Sequence, residues 1–427
     1  MLSRRAFSGL ALGITSAGHL FGRRPEEDGL SSTPPAIAAL KSRKTEAHPI
    51  SITERRDRLA RARALMSENK IDALCMIGGT SLLYFTGIRW WNSERLFTFV
   101  LPQKGKPFYV SPAFEEDRAR EQIAQAPEGD ESRILTWQED EDPYRLVARG
   151  LGDAGLGTGR IGIEERVTFV FSDGIAKACP NAQIVSGTPV TAGCRMIKST
   201  AEIGLMRLAA QVTLAAYEAA WKSLQPGMTQ NEFAQLVAAA HRQLGFDGEA
   251  SVQVGPYSAL PHGSLAPQVI REGAVLLMDG GCKVEGYESD ISRTFVLGKP
   301  SEKMQRVFQT VHRAQEAALK TARPGVACEK VDAAARKVIA DSGYGSGYAH
   351  FTHRVGHGLG MDGHEWPYLV RGDTRLLEAN MVFSDEPGIY LRGEFGVRLE
   401  DDMHIIENGA ELFTAQSPSL TEPFARA

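Results

Sequence analysis

From about Ile52 the chain changes hydrophobic period every ten to twenty residues. Residues 54–69 space their apolar positions as an amphipathic helix does, with charges between them. Ala73–Ile77 and residues 96–101, 107–110 and 160–164 are short apolar runs of strand length. Residues 114–123 and 144–151 read as helices lying between those strands. Helices and strands in alternation predict an α/β domain over residues 50–192. The pattern then changes. Ser199-Thr200-Ala201-Glu202 is a capping box, and the helix behind it carries Ile203, Met206, Val212, Leu214, Tyr217 and Trp221. Thr229-Gln230-Asn231-Glu232 is a second box before a second helix. These open a second domain, residues 195–420.

That domain repeats itself. Pro226-Gly227 leads through a helix to Gly245, and Pro324-Gly325 leads through a helix to Gly343, each spanning 19 residues and offset by 98. A strand-rich tail follows each copy, so the domain reads as two related halves, each a helix pair with β-strands, closing on one another. The tails hold two predicted hairpins. A turn centred between Val284 and Glu285 sets Asp279 opposite Asp290, and one centred at Gly393 sets Glu386 opposite Glu400. Directly opposed residues share a face, so four carboxylates converge. They cannot all ionise unaided, because like charges raise each other's pKa. Two divalent ions would neutralise them, in the arrangement where ions about 3.5–4 Å apart share bridging carboxylates. Asp385, Asp401, Asp402 and Glu288 neighbour these residues, face the other way by strand parity, and are expected at solvated strand ends.

Between the hairpins, residues 350–365 hold four of the ten histidines. Gly356, Gly358, Gly360 and Gly363 would each cost about 1 kcal/mol inside a helix, so an extended loop is expected. Period two then puts His353 and His357 on one face and turns His350 away. His357, flanked by glycines, is the histidine placed to complete a metal site.

Composition narrows the class. At 427 residues the chain exceeds one ordinary core. A hydrophobic share of 43 % and a charged share of 23 % are ordinary for a globular protein. A net charge of −4 without a basic stripe gives no electrostatic case for a nucleic-acid partner, and none is expected. No run reaches the roughly 18 apolar residues of a membrane span. Cys75, Cys179, Cys194, Cys282 and Cys328 are scattered, with no C-x-x-C pair, and read as isolated core thiols. At the N-terminus, Ser3-Arg4-Arg5-Ala6-Phe7 precedes a weakly apolar run, residues 8–21. This resembles a twin-arginine export signal, although Ser8-Gly9 stands where that pattern has Leu-Lys. Residues 1–40 are read as signal and linker, with linker character over 22–50 and Ala36-Ile37-Ala38 as a late processing site. The expectation is a folded, metal-loaded, periplasmic or otherwise exported protein; the alternative is a cytoplasmic one with a basic tail.

Asp279, Asp290, His357 in V-G-H-G-L-G, Glu386 in D-E-P-G-I-Y and Glu400 in V-R-L-E-D resemble the five ligands of the pita-bread metallopeptidases, in the aminopeptidase P and prolidase branch. The resemblance covers residues 195–415, and the preceding α/β domain is similar to the creatinase/prolidase-like N-terminal domain of that branch. It implies an Xaa-Pro aminopeptidase or dipeptidase with two divalent ions, manganese first and cobalt, zinc or iron as alternatives. It also implies a small peptide substrate, no nucleic acid or membrane partner, and a homodimer or larger homo-oligomer. By the same resemblance Glu386 is general base as well as ligand, His262 and His364 bind substrate and the tetrahedral intermediate, His353 lines the wall, and Arg398 supports the site. One position departs. Many prolidases carry, after H-E-x-P, an arginine that grips the dipeptide carboxylate; here it is Tyr368, with Arg371 three residues on as a substitute. Arg89-Trp90-Trp91 is either a wall of the mouth or interdomain packing. Competing readings are a non-peptidase hydrolase or lyase of the same fold and an inactive peptide-binding module. Intact ligands argue against creatinases and against the inactive module, and Gly281 argues against the sulfonium lyases, which have an aspartate there.

Overall fold

A computed structural model describes residues 33–129 and 132–424; the twin-arginine stretch lies outside the described residues. The N-terminal part is one mixed sheet of six strands: β1 (Ala73–Ile77), β2 (Thr98–Pro102), β3 (Phe108–Pro112), β4 (Arg133–Trp137), β5 (Arg160–Ile163) and β6 (Gln183–Ser186). The order is β4-β3-β2-β1-β5-β6. The central strands are buried on both faces, which explains their continuous apolar runs. β4 and β6 were not read from the sequence. Both are edge strands, partly exposed and mixed in composition, so neither period nor hydrophobicity marks them.

The segment read as a linker is packed from Pro35 onward. Pro35–Ala38 forms a helical turn against the helices Thr200–Trp221 and Gln230–Leu244, with Ile37 buried. The Arg43 amide donates to the Leu244 carbonyl at 2.8 Å, and Ile50 is buried too. The expectation of a linker there fails because two isolated apolar residues suffice to dock a polar strap.

After Ser199 the duplication is visible in the backbone. The helices Thr200–Trp221 and Gln230–Leu244 are followed by β7 (Gly248–Val254), β8 (Val275–Val284), β9 (Tyr287–Glu288) and β10 (Ile291–Val296). The helices Glu302–Thr321 and Cys328–Asp341 are followed by β11 (Gly356–Gly358), β12 (Glu365–Leu369), β13 (Val382–Asp385), β14 (Gly388–Leu391), β15 (Phe395–Arg398), β16 (Asp401–Ile406) and β17 (Gly409–Leu412). The sheets run β10-β8-β7 and β12-β11-β13-β16-β17. Both predicted capping boxes form, on Ser199 with Glu202 and on Thr229 with Glu232. The five cysteines are buried and free. No helix among the described residues is long and apolar enough to cross a membrane.

One register differs from expectation. β8 pairs with β10 as Asp279↔Ser292 and Gly280↔Ile291, so the turn is centred between Glu285 and Gly286. Glu285 takes φ 51° and Gly286 φ 92°, the left-handed pair of a two-residue hairpin turn. Sequence rules give that role to Asn or Asp before glycine, which is why the centre was misplaced. Asp290 lies two positions from Ser292 and keeps the face of Asp279. The second hairpin has the expected centre: Gly388 pairs with Arg398 and Asp385 with Asp401, both about Gly393 at φ 82°.

Candidate metal centre and active site

The five expected ligands come together. Asp279, Asp290 and Glu400 offer oxygens within 4.8 Å of one another, and His357, Glu386 and Glu400 form a second such group. Glu400 belongs to both. His364 joins Asp290 and His357 in a third group. The His357 imidazole carries its own orientation device. Its Nδ1 lies 3.1 Å from the Gly358 carbonyl, which only accepts, so Nδ1 holds the proton and Nε2 presents a lone pair. That Nε2 is 3.3 Å from Glu386 and 3.7 Å from Asp290. Burial, and then the nearby His364, push His357 down to about 3, which keeps it neutral and able to ligate.

The carboxylates behave as a crowded set does. Burial and the neighbouring acids hold Asp290 and Glu400 well above the usual carboxylate range. Burial pushes Glu386 up to about 7, against the pull of Arg398. Asp279 alone goes down: burial opposes its charge, but Arg398 at 2.6 Å and the Ser292 hydroxyl outweigh it. Ser292 has one proton for two acids, Asp279 Oδ1 at 2.6 Å and Glu400 Oε2 at 2.7 Å. Three crowded acids short of positive charge, one buried and two partly exposed, beside a neutral imidazole with an open lone pair, fit divalent cations bound through oxygen and one nitrogen.

The other predicted residues divide. Arg398 is buried and ties Asp279, the Pro261 carbonyl at 3.0 Å and the Tyr390 hydroxyl at 3.1 Å. His262, next to Pro261 in the chain, is exposed. His353 faces the site, 3.7 Å from Glu386, but both its nitrogens are engaged: Nδ1 at the Arg354 carbonyl, Nε2 with the Tyr390 hydroxyl at 2.7 Å. It braces Tyr390 and, through it, Arg398. His350 points away, to the Tyr390 carbonyl at 3.3 Å. The exposed His364 ring stacks on His357 at 3.8 Å, and Arg354 reaches its Nδ1 at 3.2 Å. Arginine only donates, so Nδ1 accepts and the His364 proton sits on Nε2. Tyr368 lies beside this group, under the Arg354 guanidinium at 4.1 Å. Arg371 does not: it is exposed and lies over the Tyr348 ring at 5.4 Å. Trp90 is packed on Phe97, whereas Trp91 is exposed.

Asp385, Asp401 and Asp402 correct an expectation, because all three are fully buried. Asp401 pairs with Arg293 at 2.7 Å and accepts from Thr414 and Gln315, while both Asp385 carboxylate oxygens lack a hydrogen-bond partner among the described residues. Asp402 accepts the Asp290 amide at 3.2 Å. Strand parity says which face a residue takes but not what covers that face, here the helix Glu302–Thr321 over Asp385 and Asp401; Asp402, two residues from Glu400, does not face the other way but shares the face of Glu400 and Asp290. Glu288 is half-buried and pairs with Lys283 at 2.6 Å.

Sequence reasoning missed Ser292, Tyr390, Arg354 and Arg195. Ser292 was within reach, since it lies two residues from Asp290 on the same strand face. Arg195, on the helix Thr188–Met196, is buried against Asp362 at 2.6 Å and against Glu365. Glu365 in turn accepts from the amides of Met361 and Asp362. The N-terminal part thereby anchors both ends of the short loop that carries His364. A cleft of about 720 Å³ opens onto Asp290 and His364.

Comparison with known proteins identifies the family of each part of the chain. The model of the Creatinase/Prolidase N-terminal domain matches residues 58–197, and that of Metallopeptidase family M24 matches residues 204–407. The chain is 35 % identical over 359 residues to the probable dipeptidase PepE of Mycobacterium tuberculosis, covering 83 % of this chain and 92 % of that protein. It is 31 % identical over 363 residues to the Xaa-Pro dipeptidase of Lactobacillus delbrueckii subsp. lactis, covering 83 % of this chain and 96 % of that one. The crystal structure of the dipeptidase PepE from Mycobacterium ulcerans superposes with a TM-score of 0.81 at 32 % identity, over 88 % of this chain and 99 % of that one. The chain therefore belongs to metallopeptidase family M24, with a creatinase/prolidase N-terminal domain ahead of its catalytic domain.

Proposed function

We propose that this metallopeptidase is an exopeptidase hydrolysing Xaa-Pro bonds with two divalent ions, manganese foremost. The observation that carries the reading is the pair of ligand groups sharing Glu400, because one bridging carboxylate between two sets is what a dinuclear centre requires. The relatives named Xaa-Pro dipeptidase and prolidase support the choice of bond.

When bound, the ions supply Lewis acidity and lower the pKa of water. The chain's own groups do the rest. Asp279, Asp290, His357, Glu386 and Glu400 form the ligand set. Glu386 takes a proton from the attacking water and returns it to the leaving imino nitrogen. His364, with its proton on Nε2, donates to the scissile carbonyl oxygen as charge develops there. His262 closes the facing side as a substrate contact. Arg398, braced by Tyr390 and His353, fixes the Asp279 carboxylate. An Xaa-Pro bond has no N–H for a general peptidase to hold, and nothing in this scheme calls for one.

The test is metal-loaded protein on Xaa-Pro, Xaa-Pro-Yaa and a matched peptide without proline. Cleavage of proline substrates supports the reading; no cleavage with manganese, cobalt or zinc refutes it. Elemental analysis should find two ions per chain. Export by the twin-arginine route is proposed on residues 3–7 and is checked by cell fractionation, and a homodimer is proposed and checked by sedimentation.

A further inference from the structure

Asp362 stands two residues before His364, but its carboxylate is held by the other domain. Among the described residues its side-chain partners all belong to the N-terminal part. Oδ1 accepts from the Thr80 hydroxyl at 2.6 Å, and Oδ2 pairs with Arg195 at 2.6 Å and with Arg166 at 3.2 Å. Thr80 lies three residues past the end of β1, and Arg166 three past the end of β5. Those two strands are parallel neighbours inside the sheet. Loops at the carboxyl ends of parallel strands are where an open α/β sheet takes its ligand. Here that place is filled by a carboxylate from the catalytic domain of the same chain. Burial opposes the Asp362 charge, but Arg195, Thr80 and Arg166 outweigh it and hold the acid below the usual carboxylate range.

The segment behind that grip is a closed unit. Glu365 turns back to accept the Met361 amide at 2.9 Å and the Asp362 amide at 3.1 Å, and Arg195 pairs with it as well. On the catalytic side the Gly360 carbonyl accepts the Glu288 amide at 2.7 Å. What the unit presents is the exposed His364 ring, 3.8 Å from the His357 ring. We infer that Asp362 is a positioning residue: through it the N-terminal part of the chain fixes where His364 meets the scissile carbonyl. This rests on the role given to His364 in the Xaa-Pro exopeptidase reading above. It gives the N-terminal part a share in the rate through a contact that touches no substrate. A displacement of about 1 Å at a group aimed at developing charge costs up to about 100-fold in rate.

The experiment is a double-mutant cycle on manganese-loaded protein with an Xaa-Pro dipeptide. Asp362→Asn keeps the size of the side chain and an acceptor for Thr80, but loses the charge held by Arg195. It should lower kcat by about 10- to 100-fold, with KM little changed and bound metal unchanged. Thr80→Val and Arg166→Ala should each lower kcat by about 2- to 5-fold. Arg166 is more than half exposed, so its removal leaves the packing intact and keeps the test open where Asp362→Asn does not fold. In a His364→Ala background none of these changes should lower kcat further, because each acts only through that ring. Losses that add in that background, or Asp362→Asn at wild-type kcat, overturn the inference. A second readout needs no turnover. In proton–nitrogen correlation spectra of metal-free protein, His364 should hold its proton on Nε2 in wild type, with Arg354 at its Nδ1, and lose that preference in Asp362→Asn. The same preference in both also overturns the inference. A wild type that cleaves no Xaa-Pro peptide overturns the parent reading instead, and the spectra then decide this one.

Discussion

Gly227 and Gly325 turn the same corner in the two halves of the catalytic domain. Both are left-handed, at φ 93° and 83°, and both donate to a later carbonyl at 2.9 Å, of Ile270 and of Leu377. Two residues on, the halves part. Thr229 caps its helix through its hydroxyl, whereas Ala327 has none to offer. The hairpins part in the same way. The second sets Glu386 and Glu400 at matched positions, while in the first the position opposite Asp279 is Ser292. Duplication supplies four similar acids, and single residues make them unlike. Arg398, from the second half, lowers Asp279, from the first; Ser292, from the first, bonds Glu400, from the second. The halves are thus tied by exchanged partners, and that asymmetry distinguishes one carboxylate held below its usual range from three raised above it.

The comparison is broken most severely at the shared acids. Asp290→Asn should lower kcat/KM by about 1,000-fold or more and remove bound metal, read together by turnover and elemental analysis. Retained activity with metal lost would refute the site. Next is the exchanged cation. Arg398→Met leaves Asp279 buried without its partner and should destabilise the metal-free protein by about 3–5 kcal/mol in urea titration, with manganese recovering much of the loss.

A smaller effect follows from protonation. Glu386 is raised to about 7 and Asp290 and Glu400 are raised as well, so the folded metal-free protein binds more protons than the unfolded chain. That stability is fully present below the unfolded carboxylate pKa and is lost as pH rises through the folded values. Neutral His353 and His357, both lowered to about 3, act oppositely, but only up to the ordinary histidine pKa of about 6.5. Above that, the melting temperature of metal-free protein should fall with rising pH, and saturating manganese should flatten the fall. Smallest is the cap. Thr229→Ala should cost about 1 kcal/mol, and Ala327→Thr should add about 0.5 kcal/mol, measured by denaturant midpoint.

How much of this was legible in the sequence varies with what each feature depends on. The two capping boxes and the Gly393 hairpin depend on neighbours in sequence, and these were read correctly. The first hairpin was misplaced by one position because a glutamate holds a backbone angle usual for Asn or Asp. The candidate ligand set came from pattern, and the fold brings its five residues near one another, but the burial of Asp385 and Asp401 was invisible because it depends on a helix packed from elsewhere. Arg354 gives no local signal at all. Its place over Tyr368 and against His364 arises only when β11 and β12 pair.

The buried Ile37 limits where the chain can be cut near its N-terminus without disturbing the fold. A protease cutting after Ala38 would discard Ile37 from its seat against the two opening helices of the catalytic domain. Cleavage compatible with the packed strap therefore falls ahead of Pro35. A chain shortened to begin at Pro35 should keep its melting temperature, whereas one beginning at Ser51 gives up both Ile37 and Ile50 as well as the Arg43 bond to Leu244.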